Sequence, residues 1–83
     1  MAVIRPSLFA VIERFPRRKD DVRELFKKND SFQTLCEDYW KCTEALQYWK
    51  QSTSEEAITR RKEYTKLLRD LESEILQNLT NVD

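Results

Sequence analysis

The chain has no histidine and no glycine among its 83 residues. The first absence removes the commonest general base and a principal zinc ligand. The second removes the residue on which phosphate-cradling loops, two-residue hairpin turns and sharp strand bends depend. Typical glycine usage is roughly 7%, so its complete loss points to a chain built from helices. Long apolar runs are also missing, and no stretch approaches the roughly 18 residues of a membrane span. Residues 1–6 lack the charged start and apolar run of a secretory leader. An excess of one sign of charge is lacking too, since 15 Lys and Arg balance 15 Asp and Glu. The sum therefore draws in neither nucleic acid nor an anionic membrane as a bulk partner.

Cysteine is sparse. Cys36 and Cys42 stand six apart, which on one helix turns them about 120° away from each other. An intrahelical disulfide is excluded by that geometry. Both are expected as reduced thiols packed like small apolar groups, in a reducing, cytoplasmic setting. Cys36 borders the apolar seam described next and is the better redox candidate, although a nucleophilic thiol needs a base or cation beside it. Two cysteines would need two further ligands to hold zinc, so no metal and no cofactor is expected. Glu37 beside Asp38, and Glu72 near Glu74, diverge around a helix and form no acid–base pair. No residue is assigned a catalytic role.

What the chain does have is periodicity. Phe32, Leu35, Tyr39, Cys42, Leu46 and Trp49 recur at steps of three and four, a seam that only a helix presents on one face. Ala57, Tyr64, Leu68, Leu71 and Ile75 form a second ladder after a short polar break. The pair predicts an all-α fold, a long antiparallel helical hairpin over residues 30–79. One or two short helices within residues 1–29 precede it, and residues 80–83 form a frayed tail of the single domain. A hairpin this small buries little apolar surface, so self-association, most simply into a dimer, is expected to complete it.

Local signals place the boundaries. Ser7 is expected to cap a first helix ending near Arg14, and Pro16 breaks it and opens a second with Val22, Leu25 and Phe26 on its apolar side. Asp30 or Ser31 is the expected cap of the first long helix, which runs to about Gln51. Ser52 with Glu55, and Thr53 with Glu56, have capping-box spacing, so the second long helix is expected from near Ser54 to about Leu79. Glu56 with Arg60 and Lys66 with Asp70 suit four-residue ion pairs on its exposed face. Arg61 is expected to extend past the seam toward water or Glu44.

Charge is uneven along the chain. Residues 1–28 hold eight Lys and Arg against four Asp and Glu, whereas residues 29–83 hold seven against eleven. A basic arm attracted to an acidic hairpin, its own or a neighbour's, fits that split. The ladders also leave large side chains over: Trp40 and Tyr48 point off the seam, and Ile58, Leu67 and Leu79 widen the second stripe. The arm, a second copy or a different protein could bury them. Trp40, Tyr48 and Phe9 are the expected contacts for a protein partner, because large aromatics beside charged rims contribute disproportionately to binding. Arg17, Arg18 and Lys19 add a basic run. Two other classes stay open. Ile4, Leu8, Phe9, Ile12 and Phe15 ahead of that run are compatible with a peripheral membrane anchor. The run with Arg14, Lys27 and Lys28 could touch nucleic-acid phosphates, though no aromatic platform accompanies it.

Phe15-Pro16, Leu25, then Asp30, Phe32, Leu35 and Tyr39, and finally Leu71-Glu72-Ser73-Glu74-Ile75 resemble the YdcH-like family of short helical proteins. That family has a similar Phe-Pro start, a Phe-x-x-Leu-x-x-x-His or Tyr element and a Leu-Lys-Asp-Glu-Ile element at comparable separations. The resemblance spans roughly residues 15–79, implies a helical hairpin and supplies no activity. Glu72 and Ser73 stand where the family has Lys and Asp, Cys42 and Trp49 occupy seam positions, and residues 1–14 look like an addition.

Overall fold

The computed structural model describes residues 5–80, which form an all-α protein without strands. Helix α1 spans Pro6–Arg14, α2 Lys19–Lys28, α3 Asp30–Gln51 and α4 Ala57–Thr80, and a 3₁₀ turn at Pro16–Arg18 joins α1 to α2. Of the expected frayed tail only Thr80 is described, where it ends α4; residues 81–83 lie outside the described residues, as does Ile4 of the expected membrane anchor.

The boundaries depart from expectation where side chains found other partners. α1 starts two residues early, with Pro6 in its first turn and Arg5 before it in extended conformation. Ser7 is therefore inside the helix and buried, and does not cap it. Pro16 opens the 3₁₀ turn, with α2 following from Lys19. Asn29 alone separates α2 from α3. Its backbone is extended, and its Oδ1 accepts a 3.0 Å hydrogen bond from Phe32 N–H, so Asn29 caps α3 in place of Asp30 or Ser31. At the other end, Ser52 Oγ accepts from Ser54 N–H at 3.2 Å and closes a local turn. That hydroxyl is then committed, no capping box forms, and α4 begins at Ala57 after Glu55 and Glu56 have passed through the turn. Arg60 pairs with Glu63 at 3.2 Å, and neither expected four-residue pair on α4 is made.

The two ladders pack on each other. Cys42 Sγ donates to the Tyr64 carbonyl at 3.5 Å and Tyr39 OH donates to Glu72 at 2.9 Å. The earlier residue on α3 meets the later one on α4, so the helices run antiparallel. Phe32, Tyr39, Cys42 and Leu46 are buried on α3, as are Ala57, Leu71 and Ile75 on α4; Leu35, Trp49, Tyr64 and Leu68 are half-buried.

The short helices fold back on this same hairpin. Val11 of α1 and Val22 and Phe26 of α2 join Phe32, Cys36, Tyr39, Ile75 and Leu79 in one continuous core. Side chains of that size contribute about 1.5–3 kcal/mol each in gross burial, so the arm adds substantially to a core that a bare hairpin would lack. Leu79, left over from the seam, is fully buried. Cys36, expected at the seam's border, is fully buried as well, because α1 and α2 close over that side of α3.

Candidate functional site

The charge split between arm and hairpin resolves into contacts within the chain. Arg14 Nε donates to Glu72 Oε2 at 2.8 Å and Nη2 donates to Oε1 at 3.3 Å, while Tyr39 OH reaches the same carboxylate. One carboxylate thus ties α1, α3 and α4 together in the bidentate geometry that suits guanidinium. Burial alone would raise the Glu72 pKa, but hydrogen bonds from Arg14 and Tyr39 and the Arg14 charge outweigh it and hold the group below its ordinary 4.5. Burial, reinforced by the bond to Glu72, pushes Tyr39 up to about 12. Arg5 lies 4.0 Å from Glu37 on α3 and stacks over the Phe26 ring at 5.6 Å. Arg18 bonds Asp21 and donates at 2.6 Å to the Leu79 carbonyl, satisfying an orphan acceptor at the end of α4.

These contacts use up much of what the sequence offered for other partners. Leu8, Ile12 and Phe15 pack against the core and Val11 is buried, so of the arm's described large apolar side chains only Phe9 is exposed, at 43%. Arg14 and Arg18 are engaged, and Lys28 pairs with Glu24 at 3.2 Å. Arg17, Lys19 and Lys27 stay exposed. Trp40 is half-buried in a hollow beside Arg5, Pro6 and Ser7. Tyr48 is 65% exposed, stands edge-on to Trp49 with ring centres 5.0 Å apart, and lines a separate hollow with Ser52 and Thr53. The aromatics expected to act together therefore fall in different places.

Burial pushes the Cys36 thiol up to about 12, with Glu37 adding to the effect, and raises Cys42 as well. Both thiols are free, buried and held protonated, the opposite of an activated nucleophile. Cys36 is thus not the exposed redox residue that its position beside the seam suggested.

Two open features remain. The first is a groove of about 460 Å³ between α3 and α4, lined by Asp38, Lys41, Cys42, Ala45, Tyr64, Leu67 and Leu71. On α3, Asp38 and Ala45 lie about 150° round the helix from Trp40 and Thr43, which border α1. The groove is the hairpin face that the arm does not cover, and Leu67 stands 44% exposed in it. The second is a groove of about 610 Å³ at the hairpin tip, formed by Leu46 and Lys50 of α3 with Ile58, Arg61, Lys62, Thr65, Lys66 and Arg69 of α4. Arg61 turns into this groove and makes no ion pair with Glu44. Sequence reasoning missed the tip groove, although the spacing of Arg61, Lys62, Thr65, Lys66 and Arg69 already puts them on one helix face. Treating α4's charges as acid–base pairs hid that row.

No protein-family model matches the chain, and neither a curated protein nor a solved structure matches it.

Proposed function

We propose that this chain is a small non-catalytic helical interaction module, homo-oligomeric through its hairpin, that serves as an adaptor or regulatory subunit in a reducing, cytoplasmic environment. The observation that carries this reading is the open groove of Cys42, Ala45, Tyr64, Leu67 and Leu71, an apolar strip on a hairpin face that the arm leaves without a cover. A second hairpin laid on it would complete a four-helix bundle. On the rim, Lys41 stands beside Asp38 on the α3 side, while Asp70 and the Arg60-paired Glu63 flank Leu67 on α4 at helical spacing. In a two-fold antiparallel pairing, each Lys41 would face the partner copy's carboxylates.

The helical architecture is also what the resemblance to YdcH-like proteins implies. We read the chain as a relative of that family in which an added first helix roofs the hairpin.

Sedimentation velocity tests the reading. The wild-type chain should sediment as a dimer whose population falls on dilution, and Leu67→Glu should be monomeric with unchanged helicity by circular dichroism. A wild-type chain that stays monomeric at every accessible concentration, or a Leu67→Glu variant that associates as wild type does, overturns it.

A further inference from the structure

The tip groove shares no residue with the groove assigned to self-association. Its rim is entirely cationic in charge: Lys50, Arg61, Lys62, Lys66 and Arg69 line it, and no carboxylate does. Among the described residues none of these five makes an ion pair, whereas Arg5, Arg14, Arg18, Lys28 and Arg60 each have one. Five like charges brought together in a chain of zero net charge are a local field and not a by-product of composition. The floor is apolar, with Leu46 buried and Ile58 57% exposed. A ligand therefore has to bring negative charge on its flanks and an apolar side chain at its centre.

We propose that this groove docks an acidic amphipathic helix of another protein, with a leucine-like side chain against Ile58 and Leu46 and glutamates or aspartates against the cationic rim. The mode is helix-in-groove binding, in which apolar anchors at helical spacing seat between charged rims. Dimensions favour it over nucleic acid. The cationic row from Arg61 to Arg69 extends about 12 Å along α4, a little over two turns of a docked helix and short for a duplex backbone, whose phosphates would run on past it. No aromatic ring lines the groove, so it offers single-stranded bases no stacking platform. Within this groove a membrane surface would find a single exposed aliphatic side chain, Ile58, too little for interfacial insertion.

The test uses the full chain and a fluorescein-labelled synthetic helix of Glu, Ala and Leu whose leucines share one face, read by fluorescence anisotropy. Parallel arms carry the same residues scrambled so that the leucines disperse, poly-glutamate, a DNA duplex, and phosphatidylserine vesicles. Saturable binding of the patterned helix is expected to weaken with salt, and about tenfold or more with Arg61→Glu/Lys66→Glu. Ile58→Ser should weaken it independently of salt. These side chains are exposed, and circular dichroism checks that the variants keep their helicity. Leu67→Glu should bind the helix as wild type does, which separates this proposal from self-association through the other groove. Equal binding of scrambled peptide or poly-glutamate, tighter binding of duplex or vesicles, or no binding of the patterned helix overturns the proposal. So does loss of binding in Leu67→Glu, which would place the helix in the other groove.

Discussion

The side of α3 that carries Cys36, Trp40 and Thr43 is roofed by the N-terminal helices, whereas the side that carries Asp38, Cys42 and Ala45 ends in an open groove. Both sides offer apolar atoms, so hydrophobicity alone does not explain which one the arm covers. Charge sign alone does not either, since the open side carries Asp38, with Glu63 and Asp70 flanking Leu67. What the roofed side has is fitted pairs: Glu72 accepts from two nitrogens of Arg14, and Glu37 lies 4.0 Å from Arg5. Burial supplies most of the energy and these pairs fix the face. A half-exposed ion pair contributes little to stability, yet it can still decide between two surfaces of similar apolarity.

The covered core should be the most sensitive part of the molecule. Phe32→Ala or Ile75→Ala removes a fully buried side chain and should cost about 2–5 kcal/mol in urea unfolding. Leu67→Ala on the open side, measured where the chain is monomeric, should change stability by no more than about 0.5 kcal/mol. Similar losses at the two sites would show that the open face is covered after all. Next in size, Tyr39→Phe leaves Glu72 without one of its donors and should cost about 1.5–3 kcal/mol, the range for a hydrogen bond to a charged group. Arg14→Gln should cost about 1 kcal/mol or less because the guanidinium is half exposed. It should nevertheless increase hydrogen exchange in α1 more than in α4.

Stability should also depend on pH through the contact between Tyr39 and Glu72. Glu72 titrates lower in the folded chain than its ordinary 4.5, so its contribution is present above that value and disappears as pH falls through the depressed folded value. Tyr39 titrates higher, at about 12 against 10.0, so its contribution is present below pH 10.0 and disappears as pH rises toward 12. Thermal melts should therefore show a plateau falling away on both flanks. Glu72→Gln should flatten the acid flank. Tyr39→Phe should flatten part of the alkaline one, leaving the share of Cys36, whose thiol is likewise raised from 9.0 to about 12. The smallest expected effect is that of Phe9→Ser, which should leave stability within about 0.5 kcal/mol and test whether that exposed ring on the roof contributes to partner binding.

The α3 and α4 ladders were legible because the period of a helix is written in single residues: Phe32, Tyr39, Cys42 and Leu46 are buried as their spacing requires. The caps were less legible, since Asn29, Asp30 and Ser31 are all competent and only the single extended residue between α2 and α3 decides for Asn29. Ser52 shows the same limit, because its hydroxyl had two possible backbone partners and closed the nearer turn. Cys36 and Leu79 looked peripheral to a two-helix seam and became core once two further helices were added. The basic arm's attraction to the acidic hairpin could be read from charge counts; its partners Glu37 and Glu72 could not, because they depend on how α1 crosses α3.

The two buried thiols make the molecule its own stopwatch. Cys36 shares a helix face with Trp40 and Thr43 beneath the arm, and Cys42 donates across the hairpin to Tyr64. An alkylating reagent can reach the first when the roof lifts, whereas the second borders the open groove and is approached from there. Two labelling rates in one unmodified chain would thus set the lifting of the roof against the accessibility of the open groove, and their ratio would tell how tightly the arm is held while the groove stands open.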